Sequence, residues 1–74
     1  MSPAVARAAR ALIRMTQSEL AQASGLGLST IVDYEKERRA VSLEVISAIK
    51  LALENAGVEF LPENGGGEGV RRRK

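Results

Sequence analysis

At 74 residues and 7.9 kDa the chain has room for one small domain, and 27% charged with 45% hydrophobic residues is globular rather than disordered composition. It has no cysteine and no histidine, which removes disulfides, thiol chemistry, zinc fingers, the commonest general base and the commonest metal ligand; neither a metal nor a cofactor is expected. One Tyr and one Phe are too few for a base-stacking platform, no apolar run approaches the roughly 20 residues of a membrane span, and the N-terminus lacks a signal-peptide pattern, so a soluble cytoplasmic protein is expected.

The net charge of +2 is unevenly spread. Arg7, Arg10, Arg14, Arg71, Arg72, Arg73 and Lys74 put seven of the eleven cations at the two ends, and residues 15 to 69 carry a net −5. Any attraction to phosphate must come largely from the ends and from Lys36, Arg38 and Arg39. The alternative is that the basic ends are solvated tails.

In chain order, Ser2 and Pro3 read as an N-cap with proline at the first helical position. Val5, Ala8, Ala9, Leu12 and Ile13 then recur at helical spacing. Thr16-Gln17-Ser18-Glu19 is a capping box that restarts a helix two residues after Arg14, so the first two helices meet at a tight corner. The second helix is predicted over Gln17 to Ser24, burying Leu20 and Ala21, and Gly25 ends it in a left-handed conformation. A third is predicted from Leu28 to Lys36 with Ile31 and Tyr34 inward, then a loop over Arg38 to Val41. Ser42 caps a fourth, Leu43 to Ala56, stopped by Gly57.

On the fourth helix Val45, Ile46, Ile49, Ala52, Leu53 and Ala56 share one arc, opposed by Glu44, Ser47, Lys50, Glu54 and Asn55. Leu51 falls among the polar residues, either as an isolated exposed leucine or as a contact for a second subunit or for the C-terminal segment. Residues 1–57 thus read as a helical domain. Residues 58–74 form a C-terminal appendage: a hairpin of Val58–Leu61 against Val70–Arg73 across a Gly-rich loop, or a disordered tail. The glycines lack the Lys-Ser/Thr ending of a phosphate loop.

Two short helices joined by a turn containing glycine form the helix-turn-helix pattern. Ala21 must be small where the helices cross, Gly25 must turn, and Leu20, Leu26, Ile31 and Tyr34 must be apolar to wedge them. The run Thr16 to Leu26, with Ser29-Thr30-Ile31 and Tyr34-Glu35, resembles the lambda-repressor/Cro-like (XRE) helix-turn-helix family over about Arg7 to Ala56. The ending Ala56-Gly57-Val58-Glu59-Phe60 with Asn64-Gly65-Gly66-Gly67 resembles a compact, single-domain bacterial subgroup. The resemblance implies an all-α, lambda-repressor-like bundle of four helices with a short C-terminal hairpin.

It also implies sequence-specific binding of double-stranded DNA as a homodimer that regulates transcription, with the protein on the bacterial nucleoid when DNA-bound. Phosphate contacts are then implied for Gln17, Ser18, Lys36, Arg38 and Arg39, base-facing positions for Leu28, Ser29, Val32 and Asp33, and a structural ion pair for Arg10 and Glu35. For that last pair the alternative is two surface charges that never meet. Leu51, Val58 and Phe60 are the dimer candidates. Two departures stand out: Gly27 replaces the usual Ser or Thr cap, and the base-facing set has no Arg, Lys, Asn or Gln to form bidentate contacts. Asp33 either accepts from a cytosine amino group or pairs with Arg38 or Arg39.

Catalysis is not expected, because Ser18, Ser29, Ser42 and Ser47 have simpler roles as caps or surface residues and no carboxylate spacing suits a hard metal. Two further readings are a protein-interaction module, antitoxin or adaptor on the same fold, and a non-specific nucleic-acid binder working through its basic tail.

Overall fold

A computed structural model describes residues 1–62 and 65–73. The helices are α1 (Pro3–Leu12), α2 (Gln17–Ser24), α3 (Leu28–Glu35) and α4 (Leu43–Asn55), followed by strands β1 (Val58–Leu61) and β2 (Gly69–Arg72). Helices α3 and α4 each close one residue earlier than the sequence pattern suggests. Lys36 and Ala56 are cap residues, and Ala56, assigned to the apolar arc, is exposed.

Each helix start has a local cause. The Ser2 and Ser42 hydroxyls accept from the amides of Val5 and Val45, both at 3.2 Å. At α2 the Glu19 amide donates to Thr16 Oγ1 at 3.0 Å and the Thr16 amide donates to the Glu19 carboxylate at 2.8 Å, the reciprocal capping box. Gly27 precedes α3 with no side-chain cap.

The ends of α1, α2 and α3 share one hydrogen-bond pattern, in which the amide of a left-handed residue and the amide after it satisfy the last carbonyls. In α1 the amides of Met15 and Arg14 donate to the carbonyls of Arg10 and Ala11 (2.9 and 3.2 Å). In α2 those of Leu26 and Gly25 donate to Ala21 and Gln22 (3.1 and 3.3 Å), and in α3 those of Arg38 and Glu37 donate to Asp33 and Tyr34 (2.9 and 3.2 Å). The left-handed residues are Arg14 (φ +55°), Gly25 (φ +74°) and Glu37 (φ +56°). Only one of them is glycine, so two corners carry the steric cost of a β-carbon at positive φ.

The core comprises Ala6, Ala9, Leu20, Ala21, Ile31, Tyr34, Ile49, Ala52, Leu53 and Val58, with Leu26, Val45, Ile46, Phe60 and Val70 packed against it. Helix α1 is turned relative to the sequence expectation. Ala6 and Ala9 are fully buried, whereas Ala8 is exposed and Leu12 is 40% exposed. This rotation sends Arg10 inward to meet Glu35, an interaction stronger than the burial of one alanine methyl.

The expected hairpin forms, shifted by one residue: β1 pairs antiparallel with Gly69–Arg72 rather than with Val70–Arg73, Phe60 standing opposite Val70 and Glu59 opposite Arg71. Gly69 rather than Val70 opens the second strand, because Leu61 needs a partner and packs against a residue without a side chain. Arg73 extends the ladder by donating its amide to the Gly57 carbonyl at 2.7 Å. Phe60 and Val70 face the helices, and on the other face Arg71 and Glu59 pair at 2.7 Å. The bond to the Arg71 guanidinium lowers the pKa of the Glu59 carboxyl. Val58 is fully buried in the core of the helices, so its side chain has no surface to offer a second subunit, contrary to the sequence expectation.

Candidate nucleic-acid interface

Helices α2 and α3 pack through Leu20, Ala21, Ile31 and Tyr34, with half-buried Leu26 in the turn between them. That wedge leaves the starts of both helices at the surface. Ser18 and Ser29 are exposed, Gln17 is half-buried, and Leu28, a large apolar side chain, is 47% exposed. Val32 and Asp33 are half-buried one turn on, and Lys36, Arg38 and Arg39 are exposed beyond the end of α3.

Behind this surface lies a buried polar cluster. Glu35 is 1% exposed and fully partnered. Arg10 grips its carboxylate with two bonds, Nε to Oε2 at 2.6 Å and Nη2 to Oε1 at 2.7 Å, and its third nitrogen donates to the Met15 carbonyl at 2.9 Å. Gln17 donates from Nε2 to Glu35 Oε1 at 3.1 Å, and the Arg7 guanidinium donates to the Glu35 carbonyl. One carboxylate thus joins α1, the α1–α2 corner, the start of α2 and the end of α3. A bidentate guanidinium with further bonds is the geometry in which a buried pair offsets its desolvation. The Arg10–Glu35 approach was readable in the sequence; Gln17 and Arg7 as partners of Glu35 were not, because amides and exposed arginines carry no positional signature.

The Tyr34 hydroxyl lies 3.5 Å from the Met1 carbonyl. Burial pushes its phenol pKa up, and the carboxylates of Glu68, Glu35 and Glu37 push it further the same way.

Asp33 does not present a bare carboxylate. Arg39 Nε donates to its Oδ2 at 3.0 Å, and Arg38 Nη1 lies 3.9 Å from its Oδ1. Of the two alternatives the sequence left for Asp33, the geometry places it with the arginines.

The dimer candidates divide. Leu51 is 57% exposed on α4. Phe60 is half-buried, with the Lys50 ammonium 5.7 Å from its ring centroid, within cation–π range. In the C-terminal basic run Arg71 holds Glu59 and Arg73 donates to the Glu54 carbonyl at 2.8 Å, while Lys74 lies outside the described residues. Among the described residues no cluster of three potential metal ligands occurs, and no helix is long and apolar enough to cross a membrane.

Two short helices wedged around a left-handed glycine, with the starts of both at the surface and cations beyond the second, define a DNA-binding helix-turn-helix module. A family model described as helix-turn-helix matches residues 7–55, from the middle of α1 to the end of α4. The chain belongs to that family, in its lambda-repressor/XRE-like branch, and is a DNA-binding regulator of transcription. A search of curated proteins found no significant match.

Proposed function

We propose that the chain is a transcriptional repressor that binds operator DNA as a homodimer, with one α3 helix in each of two successive major grooves about 34 Å apart, and excludes polymerase sterically. The observation that carries this reading is the bare N-terminal end of α3, where Leu28 and Ser29 stand exposed beside the start of α2. Leu28 and Val32 meet thymine methyls, Ser29 bonds a base edge or phosphate, and Asp33 lies at the edge of the groove. Gln17 and Ser18 hold one phosphate, favoured by the free amides at the start of α2, and Lys36, Arg38 and Arg39 hold another. Leu51 and Phe60 are the side chains offered to the second subunit. The protein works on the nucleoid in the cytoplasm, and its role is regulatory rather than catalytic.

A second reading, the same fold serving as an antitoxin or adaptor, is favoured by one observation: the α3 surface offers an exposed leucine and a carboxylate already engaged by arginine, and no bidentate base reader.

The test is a fluorescence-anisotropy titration on duplex from upstream of the protein's own gene, beside a shuffled duplex, at low and near-physiological salt. The repressor reading expects preference for the native duplex that survives the higher salt. Equal binding that collapses with salt indicates phosphate attraction alone. Absence of binding to either duplex supports the adaptor. Deleting residues 71–74 abolishes binding only if the basic tail supplies all of it.

A further inference from the structure

We infer that Asp33 acts as an internal competitor of DNA phosphate: its carboxylate occupies Arg39, and attracts Arg38, so that binding to the DNA backbone is weakened on every duplex. The inference rests on the DNA-binding reading above.

Three observations support it. The left-handed Glu37 and the bond from the Arg38 amide to the Asp33 carbonyl (2.9 Å) fold the chain back over the last turn of α3, so the Arg39 guanidinium returns to a carboxylate one and a half helical turns behind it. The partners also differ in freedom. The Asp33 side chain is 23% exposed on a helix, whereas those of Arg38 and Arg39 are about 60% exposed on a loop, so the arginines are the movable members. Lastly, an exposed ion pair is weak enough to exchange. A phosphate can take the guanidinium from Asp33 at a penalty of about two- to fivefold in affinity.

That penalty is the same on every stretch of duplex, because the phosphate lattice is the same. It lowers affinity for random and operator duplex by the same factor and leaves their ratio unchanged. An acidic residue on a DNA-facing helix therefore sets how tightly the protein is held by the DNA backbone without touching a base.

The experiment compares wild type with Asp33→Asn, Glu37→Gln and Arg39→Ala, and with the Asp33→Asn/Arg39→Ala double variant, on random-sequence duplex across a salt series. Glu37→Gln removes an equal charge from the same loop, at a carboxylate with no ion pair among the described residues. The expected result is that Asp33→Asn binds about two- to fivefold tighter, with the log K against log salt slope little changed, because Arg39 reaches the same phosphate in both proteins. Glu37→Gln gains less than Asp33→Asn. Arg39→Ala costs more in the Asp33→Asn background than in wild type.

Equal effects of Asp33→Asn and Glu37→Gln would reduce the role to general charge and overturn the inference. Weaker binding by Asp33→Asn overturns it too, since Asp33 then positions the arginines or reads a base. A DNA-free readout separates this from the parent reading. In wild type the Arg39 Nε proton exchanges with water more slowly than in Asp33→Asn, measured by NMR. Equal exchange rates sink the clamp while leaving DNA binding standing, whereas slow exchange with no binding to any duplex sinks the DNA reading and the inference together.

Discussion

Gly25, Arg14 and Glu37 occupy the same backbone conformation at the ends of three helices, and their substitutions have opposite signs. A β-carbon at Gly25 would meet no atom within 4 Å, so Gly25→Ala costs only backbone strain, about 1 kcal/mol. Glu37→Gly relieves that strain and raises stability by up to about 1 kcal/mol, less the entropy glycine adds to the unfolded chain. At Gly27, where φ is −73° and the nearest atom to an added β-carbon is Ser29 Oγ at 4.0 Å, Ser supplies the missing cap. Gly27→Ser is expected to stabilise by roughly 0.5–1 kcal/mol. Thermal melts resolve all three, since about 1 kcal/mol moves the midpoint by about 4–8 °C in a domain of this size. A fall in stability on Glu37→Gly would show that its side chain does more than the strain costs.

Tyr34 is the sole tyrosine, so its ionisation can be followed without interference. Its phenol pKa is raised by burial and by neighbouring carboxylates. The folded state therefore holds the proton more tightly than the unfolded state does. This contribution to stability is complete below pH 10, the ordinary phenol value, and is lost as pH rises through the higher folded value. The absorbance titration should show a midpoint above that of free tyrosine that coincides with alkaline unfolding; a midpoint at the free value would mean the ring is wet.

Among the elements, α2 was the most legible, because its capping box and terminal glycine are chemically explicit. Helix α1 was the least legible in detail. With alanines at 4, 6, 8, 9 and 11, several stripes have nearly equal hydrophobicity, and the choice between them was made by Arg10 reaching a carboxylate 25 residues away. The corners at Arg14 and Glu37 had no glycine to announce them, and the hairpin register turned on whether Gly69 or Val70 faced Leu61. The exposed starts of α2 and α3 could be placed from the motif, while the partners of Glu35 and Asp33 depend on tertiary placement.

Two predictions belong to the elements. Arg10→Ala leaves Glu35 buried without its main counter-charge and should cost about 3–5 kcal/mol, enough to unfold much of so small a domain. Arg7→Ala, which removes one bond to a carbonyl from an exposed arginine, should cost about 1 kcal/mol. Urea denaturation of the two variants checks this, and matching midpoints would refute a structural role for the pair. In the hairpin, the Glu59 pKa is lowered chiefly by its bond to Arg71, so the pair contributes above the ordinary carboxyl range and is lost as pH falls through the depressed value. Protection of the Arg71 amide, which stands in a hydrogen-bonded pair with Glu59, should fall across that acid window while the α3 amides stay protected.

For the whole molecule, residues 15 to 69 are acidic and the ends basic, so attraction to DNA is local rather than global. Salt should weaken binding with a slope set by the few phosphate contacts proposed for Gln17, Ser18, Lys36, Arg38 and Arg39. Leu51→Glu places a charge on the exposed face of α4 far from the core. It should leave the melt unchanged, abolish self-association in sedimentation, and weaken binding to a two-half-site duplex more than to a single half-site. Unaltered sedimentation would remove Leu51 from the dimer surface.

The carboxylate that ties α1, α2 and α3 together has a consequence for genetics. Gln17 has two amide protons and spends one on Glu35, which leaves the other for the phosphate proposed above. If the chain represses as proposed, a screen for loss of repression should return substitutions at Arg10 and Glu35 alongside those at Leu28 and Ser29, although the first two lie behind the exposed surface of α3. Suppressors would sort them: stabilising changes such as Gly27→Ser or Glu37→Gly should restore weaker lesions of the buried cluster, and should leave lesions of the groove-facing positions unrepaired.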